Sequence, residues 1–153
     1  MSENAPLITA DLVSLDQDLG SEKTKVITKL AGIVAATGRA DSAKGLAGDA
    51  LAREQQSATG QPGGIGIPHC RSTHVTEPSL VFGRSREGID WGSEDGPATL
   101  IFLIAAPEGG GEDHLKILAM LARKLMRAEF KESLRNAVTP AEVVQIVRSE
   151  VEQ

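Results

Sequence analysis

The side chains best suited to nucleophilic chemistry are few, and most of them lie close together. The chain contains three histidines and one cysteine, and His69, Cys70 and His74 fall within a span of six residues. The third histidine, His114, stands where a helix is predicted to begin. Glycine-rich stretches precede both places, GQPGGIGIP before His69 and PEGGG before His114. Because functional side chains are often carried on loops between rigid elements, these two segments form the candidate site.

His69 has the chemistry of a nucleophile that works near neutral pH. A neutral imidazole can attack an electrophile, and its pKa lies within reach of pH 7. Pro68 fixes the backbone before it. Gly63, Gly64 and Gly66 allow close approach by a partner, and free backbone amides there could hold a phosphate. From these residues alone, a phosphohistidine is one hypothesis among several.

Two other chemistries use the same residues. His69, Cys70, His74 and His114 are zinc-ligand types, but the local spacings typical of zinc sites are missing. Cys70 with a histidine could form a hydrolase dyad, although the sequence carries no local signature of such enzymes. A nucleotide-binding loop is excluded, because no Gly-Lys-Ser/Thr follows and the Gly-x-Gly at 64–66 lacks its third glycine. His74 is interpreted as a solvated loop residue.

Composition narrows the class of protein. Acidic residues outnumber Lys and Arg by 21 to 16, which disfavours nucleic-acid binding. Aromatic residues make up only 3%, too few for a base-stacking platform. A single cysteine excludes an internal disulfide and favours a reducing, cytoplasmic setting. The N-terminal residues do not resemble a signal peptide, and no apolar run approaches the ~20 residues of a membrane span, so no membrane insertion is expected.

The periodicity predicts strands alternating with helices in one domain over residues 1–153. Strands are predicted at 8–15, 79–85 and 99–106, with a short edge strand within a turn-rich stretch at 88–96. Helices are predicted from Ser21, from Asp41 or Ser42, from His114 and from Thr139. The stretch at 60–68 is predicted to be a loop that delivers His69. These elements indicate an α/β sandwich.

One segment resembles a known family. The sequence GIGIPHC at 64–70 is similar to the active-site segment of the enzyme IIA component of the sugar phosphotransferase system, fructose-mannitol family. Leu51-Ala52-Arg53-Glu54 resembles the family's arginine-glutamate pair at a helix end. The stretch from Leu100 to Leu125 resembles its strand, loop and histidine-started helix. The resemblance covers about residues 7–150.

This resemblance implies a mixed central β-sheet flanked by helices, and a relay of phosphoryl groups. The family takes phosphate from the phosphocarrier protein HPr and passes it to a cysteine of the IIB component. That component phosphorylates sugar entering through the membrane-embedded IIC component. By position His69 is the phosphorylated residue. His114 would then contact the phosphoryl oxygens or orient the ring, and Arg53 would balance their charge.

The resemblance also leaves points open. The stretch from 105 to 125 looks closest to fructose-type members, but a nitrogen-related branch of the family acts instead as a phosphorylation-dependent regulator. The residue after the active histidine is often glycine, and here it is Cys70, which is interpreted as a small buried thiol or as a source of sensitivity to oxidation. No cofactor or metal is implied. The chain is expected to be cytoplasmic, either free or tethered to the membrane through fused or associated IIB and IIC.

Overall fold

The computed structural model describes residues 7–16, 19–20, 22–56, 59–61, 63–91, 96–108 and 113–151. Within these ranges the side chains of 61, 113–115, 117–118 and 151 are not described. The strands are β1 (Val13–Leu15), β2 (Gly60–Gln61), β3 (Ile65–Gly66), β4 (His69–Ser72), β5 (Ser79–Ile89) and β6 (Ala98–Pro107). The helices are α1 (Lys23–Ala36), α2 (Ala43–Gln56), α3 (Asp113–Lys124), α4 (Ala128–Asn136) and α5 (Pro140–Val151).

The strands form one mixed sheet with β6 near its centre. The order is β1-β5-β6-β3-β2, and β4 also pairs with β6. Strands β5 and β6 are antiparallel, whereas β3 and β4 run parallel to β6. The central strand is the apolar run TLIFLIAA with one added residue at each end, and nearly every residue in it is buried. Burial of consecutive residues requires cover on both faces of the sheet.

Helices cover the two faces in two groups. A Cβ built on Gly83 of β5 would lie 3.2 Å from the side chain of Leu30, so this position faces α1. The next residue, Arg84, points to the other face and donates to the carbonyl of Leu134 in α4. Helix α2 packs on α1, whereas α3 and α4 pack on α5. The predicted mixed sheet flanked by helices is therefore confirmed.

Local signals explain where the helices begin and end. Ser42 accepts a hydrogen bond from the amide of Gly45 at 2.9 Å and caps α2 as predicted. Gly38 follows α1 with a φ of 85°, which ends that helix. Thr139 accepts from the amide of Glu142 at 3.2 Å, which caps α5. No helix in the described part of the chain combines the length and hydropathy needed to cross a bilayer.

Some predicted elements differ from the structure. The strand expected over 8–15 is only Val13–Leu15, because a 3₁₀ turn at Ala10–Leu12 precedes it. The turn-rich stretch carries no separate edge strand in its described part, since β5 continues to Ile89. Helix α4 is not among the predicted elements, although its Phe130 and Leu134 are buried one helical turn apart.

Candidate functional site

His69 lies at the start of a short edge strand rather than in a loop. Strands β3 and β4 pair with β6 in one continuous register. In both strands, each residue pairs with the residue 35 positions later in the chain. The break between them is Ile67-Pro68, where proline has no amide hydrogen to donate. The loop predicted over 60–68 is thus wrong in part, because it contains β2 and β3.

The register gives the face on which the His69 side chain lies. Ile101 pairs with Gly83, which faces α1, and Ile104 pairs with His69. Residues three apart on a strand point to opposite faces, whereas paired residues share a face. His69 therefore points to the side of the sheet covered by α3, α4 and α5. Its neighbour Cys70 points to the side covered by α1 and α2.

The His69 ring is half-buried and held by the backbone. Its Nδ1 lies 3.0 Å from the carbonyl oxygen of Ile67. A carbonyl only accepts, so this contact requires the proton on Nδ1 and leaves the lone pair on Nε2. Nε2 is therefore the ring nitrogen with a lone pair available to act as a base or nucleophile.

Ile67, whose carbonyl holds His69, is itself tied to the end of α2. The amide of Ile67 donates to the carbonyl of Thr59 at 3.2 Å. The amide and hydroxyl of Thr59 donate to the two carboxylate oxygens of Glu54, at 2.8 and 2.7 Å. Glu54 is only 5% exposed and also binds Nζ of Lys23 at 3.0 Å. These contacts bring the last turn of α2 close to the segment that carries His69.

The other two predicted site residues lie in α2 and α3. Arg53 is half-buried in the last turn of α2, directly before Glu54. His114 lies in the first turn of α3, a helix of the group on the face to which His69 points. The side chain of His114 lies outside the described residues.

Cys70 is buried, and its surroundings disfavour the reactive thiolate form. Its side chain packs in the core, and burial, together with the negative charge of Asp49, raises the pKa of the thiol to about 12. A hydrolase dyad needs an accessible thiolate, which this environment opposes. The interpretation of Cys70 as a small buried thiol agrees with this position.

The two residues that follow Cys70 differ sharply in exposure. Arg71 is exposed and lies on the same strand face as His69, two residues further along. Ser72 is fully buried and donates from Oγ to Asp49 at 2.6 Å. Ser72 therefore joins β4 to α2, and of these two residues only Arg71 is placed to meet a partner.

His74 is more constrained than the predicted solvated loop residue. Its Nδ1 lies 2.9 Å from Oδ1 of Asp41, and the side chain is 39% exposed. A Cβ on Gly45 would lie 2.4 Å from the His74 ring, so the ring packs directly on α2. These contacts hold the ring against α2, and the structure does not bring it to His69.

Of the glycines before His69, Gly66 is closed to a partner. A Cβ on Gly66 would meet the Trp91 ring at 2.7 Å, and one on Gly63 would meet Lys131 at 2.5 Å. The backbone of Gly66 pairs with Gly60 in the sheet. At Gly66 the chain itself therefore occupies the space that a partner was expected to use, whereas Gly63 is exposed beside the end of the Lys131 side chain.

Among the described side chains, no three His, Cys, Asp or Glu residues are close enough to hold a metal ion.

Three residues that support the site, Thr59, Asp49 and Trp91, were not predicted from the sequence. Asp49 and Trp91 make contacts with residues far away in sequence, and Thr59 bonds to Glu54 across the end of α2; no local sequence pattern marks any of these contacts.

Comparisons with known proteins agree on one protein family. The family model described as "Phosphoenolpyruvate-dependent sugar phosphotransferase system, EIIA 2" matches residues 6–150. The chain is 38% identical over 143 residues to the PTS system fructose-specific EIIA component of Haloferax volcanii, covering 93% of this chain and 92% of that protein. It is 36% identical over 142 residues to the PTS system fructose-specific EIIABC component of Bacillus subtilis, covering 92% of this chain and only 22% of that longer protein.

A solved structure matches the fold closely. The nitrogen regulatory protein IIA-Ntr from Neisseria meningitidis superposes with a TM-score of 0.84 at 29% identity. The match covers 92% of this chain and 96% of that one. The same arrangement of sheet and helices is therefore found both here and in a regulatory relative.

Proposed function

The chain belongs to the EIIA 2 family of the phosphoenolpyruvate-dependent sugar phosphotransferase system, and we propose that His69 is the residue that carries the phosphoryl group. As an EIIA component it is a phosphotransferase that acts in sugar uptake. We further propose which atom of His69 reacts, which residues assist it, which proteins donate and accept the phosphoryl group, and which sugar is taken up.

The contact between Nδ1 of His69 and the Ile67 carbonyl carries the proposal. With the proton on Nδ1, Nε2 attacks the phosphorus of an incoming phosphohistidine. The bond from Nε2 to phosphorus forms while the bond from phosphorus to the donor nitrogen breaks. The ring gains positive charge, and the Ile67 carbonyl stabilises it by accepting the hydrogen bond from Nδ1. Transfer to the next partner reverses these steps.

Arg53 and His114 assist this transfer in our proposal. Phosphoryl transfer depends mainly on positioning and on neutralising charge at the equatorial oxygens. The guanidinium of Arg53, at the end of α2 that is tied to the His69 segment, supplies charge and planar donors. His114, at the start of α3, donates a hydrogen bond to the phosphoryl oxygens or orients the ring.

HPr is the proposed donor and a IIB cysteine the proposed acceptor, with IIC as the membrane component. Two fructose-specific relatives, one of them an EIIABC protein, support fructose as the sugar. We further propose that residues 1–153 act as one EIIA domain in the cytoplasm, free or attached to IIB and IIC. Transfer to fructose-type rather than mannitol-type IIB tests the sugar.

The direct test is incubation with phosphoenolpyruvate, enzyme I and HPr, followed by intact-protein mass spectrometry. We expect one acid-labile phosphoryl group in the wild type and in His74→Ala, which removes a nearby histidine as a control. We expect none in His69→Ala, because the accepting nitrogen is gone. Labelling of His69→Ala at the wild-type level would refute the site.

His114→Ala gives a separate prediction. We expect labelling to be retained but slower, by roughly a hundredfold to a thousandfold, because one donor to the phosphoryl oxygens is lost. Rapid-quench measurement of transfer from phospho-HPr checks this, with His74→Ala as the reference. Equal rates in the two variants would remove His114 from the mechanism.

A regulatory function is the second candidate, supported by the structural match to the nitrogen regulatory protein. Phosphate passage to a IIB cysteine, with sugar phosphate as the final product, favours transport. A stable phosphoprotein that passes its group to no IIB component would favour regulation.

A further inference from the structure

Glu54 is a charged residue in a nearly closed environment, and its hydrogen bonds lead towards His69. Its two oxygens accept from the Thr59 amide and hydroxyl, at 2.8 and 2.7 Å. Lys23 donates to the same carboxylate at 3.0 Å and lies 5.4 Å from the centre of the Trp91 ring. A buried carboxylate is retained only where such partners offset its desolvation.

Two contacts from one carboxylate fix the orientation of Thr59. Because both its amide and its hydroxyl are held, the backbone at Thr59 cannot turn without losing a charge-assisted hydrogen bond. Trp91 Nε1 also donates to the Thr59 hydroxyl, at 3.4 Å. The Thr59 carbonyl is thereby directed at the Ile67 amide, which it meets at 3.2 Å.

Residue Ile67 connects Thr59 to the proposed reacting ring. Its amide is held by Thr59, and its carbonyl accepts from Nδ1 of His69 at 3.0 Å. Pro68 has no amide hydrogen, so it offers His69 no competing donor. If the Ile67 carbonyl turned away, Nδ1 would lose its acceptor and the ring could adopt either tautomer.

We propose that Glu54 is a positioning residue for phosphoryl transfer, acting through Thr59 and the backbone of Ile67 to hold His69 with its proton on Nδ1 and its lone pair on Nε2. This inference rests on the proposed function of His69. It assigns a role to the glutamate of the Arg53-Glu54 pair that is separate from the role of the arginine. Glu54 does not touch the phosphoryl group.

The first test compares Glu54→Gln with a matched control. The side-chain amide that this substitution introduces has one acceptor oxygen and cannot accept both Thr59 hydrogen bonds on separate oxygens. We expect the His69 ring to show mixed tautomers by ¹⁵N NMR and transfer from phospho-HPr to slow by roughly tenfold to a hundredfold. The KM for phospho-HPr should stay unchanged, because the docking surface is intact.

The control is Glu150→Gln, which changes an ion pair of the same length but greater exposure, with Lys124 at 3.0 Å, on α5. It should leave both the tautomer and the transfer rate as in the wild type. A single Nδ1–H tautomer and a wild-type rate in Glu54→Gln would overturn the proposal. Labelling of His69→Ala would instead refute the proposed function, so the two failures are distinguishable.

A second pair of variants keeps the test decisive if Glu54→Gln does not fold. Thr59→Ser retains the hydroxyl, and Thr59→Val removes it with little change in shape. We expect Thr59→Ser to keep the single His69 tautomer and the wild-type transfer rate. We expect Thr59→Val to show partly mixed tautomers and slower transfer, while its melting transition stays cooperative. Equal tautomers and equal rates in these two variants would overturn the proposal.

Discussion

At the scale of single residues, Cys70 shows how burial sets reactivity. Its thiol lies beside the proposed nucleophile in sequence but on the opposite face of β4, and burial raises its pKa to about 12. We expect the native protein to resist iodoacetamide at pH 8, because the thiolate is scarce and shielded. Labelling followed by mass spectrometry checks this.

Protein unfolded in urea provides the control and should be alkylated readily. Fast, complete alkylation of the native protein would show that the thiol is accessible.

The sequence alone indicates His69, Cys70 and Arg53 as candidate residues, because their residue types and the local motif can be read directly from it. It cannot supply the face on which each lies, since that depends on pairing with β6.

At the scale of elements, β3 and Trp91 are packed with no spare room. A Cβ on Gly66 would approach three atoms of the Trp91 indole at 2.7–3.0 Å, and that ring is only 1% exposed. We expect Gly66→Ala to lower the free energy of unfolding by about 1–3 kcal/mol, because the ring cannot move aside. Urea denaturation measures the change.

The matched control is Gly48→Ala in α2, where a new Cβ meets no atom within 4 Å. It should stabilise the protein by up to about 1 kcal/mol, because alanine favours a helix more than glycine does. An unchanged midpoint for Gly66→Ala would contradict the close packing.

Elements also show which signals the sequence carries. Strand β6 is predicted almost to its ends, because a continuous apolar run of eight residues has few alternatives. Strand β4, with the sequence HCRS, has no apolar alternation and is not predicted as a strand. Its pairing with β6 comes from long-range hydrogen bonds that local propensity does not reveal.

At the scale of the whole molecule, Arg84 joins parts of the chain that are far apart in sequence. It is 4% exposed, makes a two-point contact with Asp16 at 3.0 and 2.8 Å, and donates to carbonyl groups at the end of α4. No sequence pattern indicates this role, because a lone arginine in a strand resembles any surface charge. The contact fixes β1 and α4 relative to β5.

This contact predicts a dependence of stability on pH. The hydrogen bond from Arg84 lowers the pKa of Asp16 below its ordinary value of 3.8, although partial burial opposes the shift. Its contribution is therefore complete above pH 3.8 and is lost as pH falls through the lowered value. We expect Asp16→Asn to be less stable at neutral pH and to lose less stability on acidification. Denaturant unfolding between pH 7 and pH 3 measures both effects.

Glu87→Gln, which replaces an exposed carboxylate on β5, is the control and should follow the wild-type pH profile. Parallel profiles for the wild type and Asp16→Asn would show that the Asp16–Arg84 pair contributes nothing to the acid transition.

The unbroken register from β3 through β4 makes chain length in this segment critical. Adding or deleting one residue between Gly66 and His69 would shift β4 by one position against β6, which exchanges the two sides of a strand. The imidazole would turn inward beneath α2, and the thiol would face solvent in its place. A change in the number of residues there would move the proposed reacting nitrogen to the other face of the sheet.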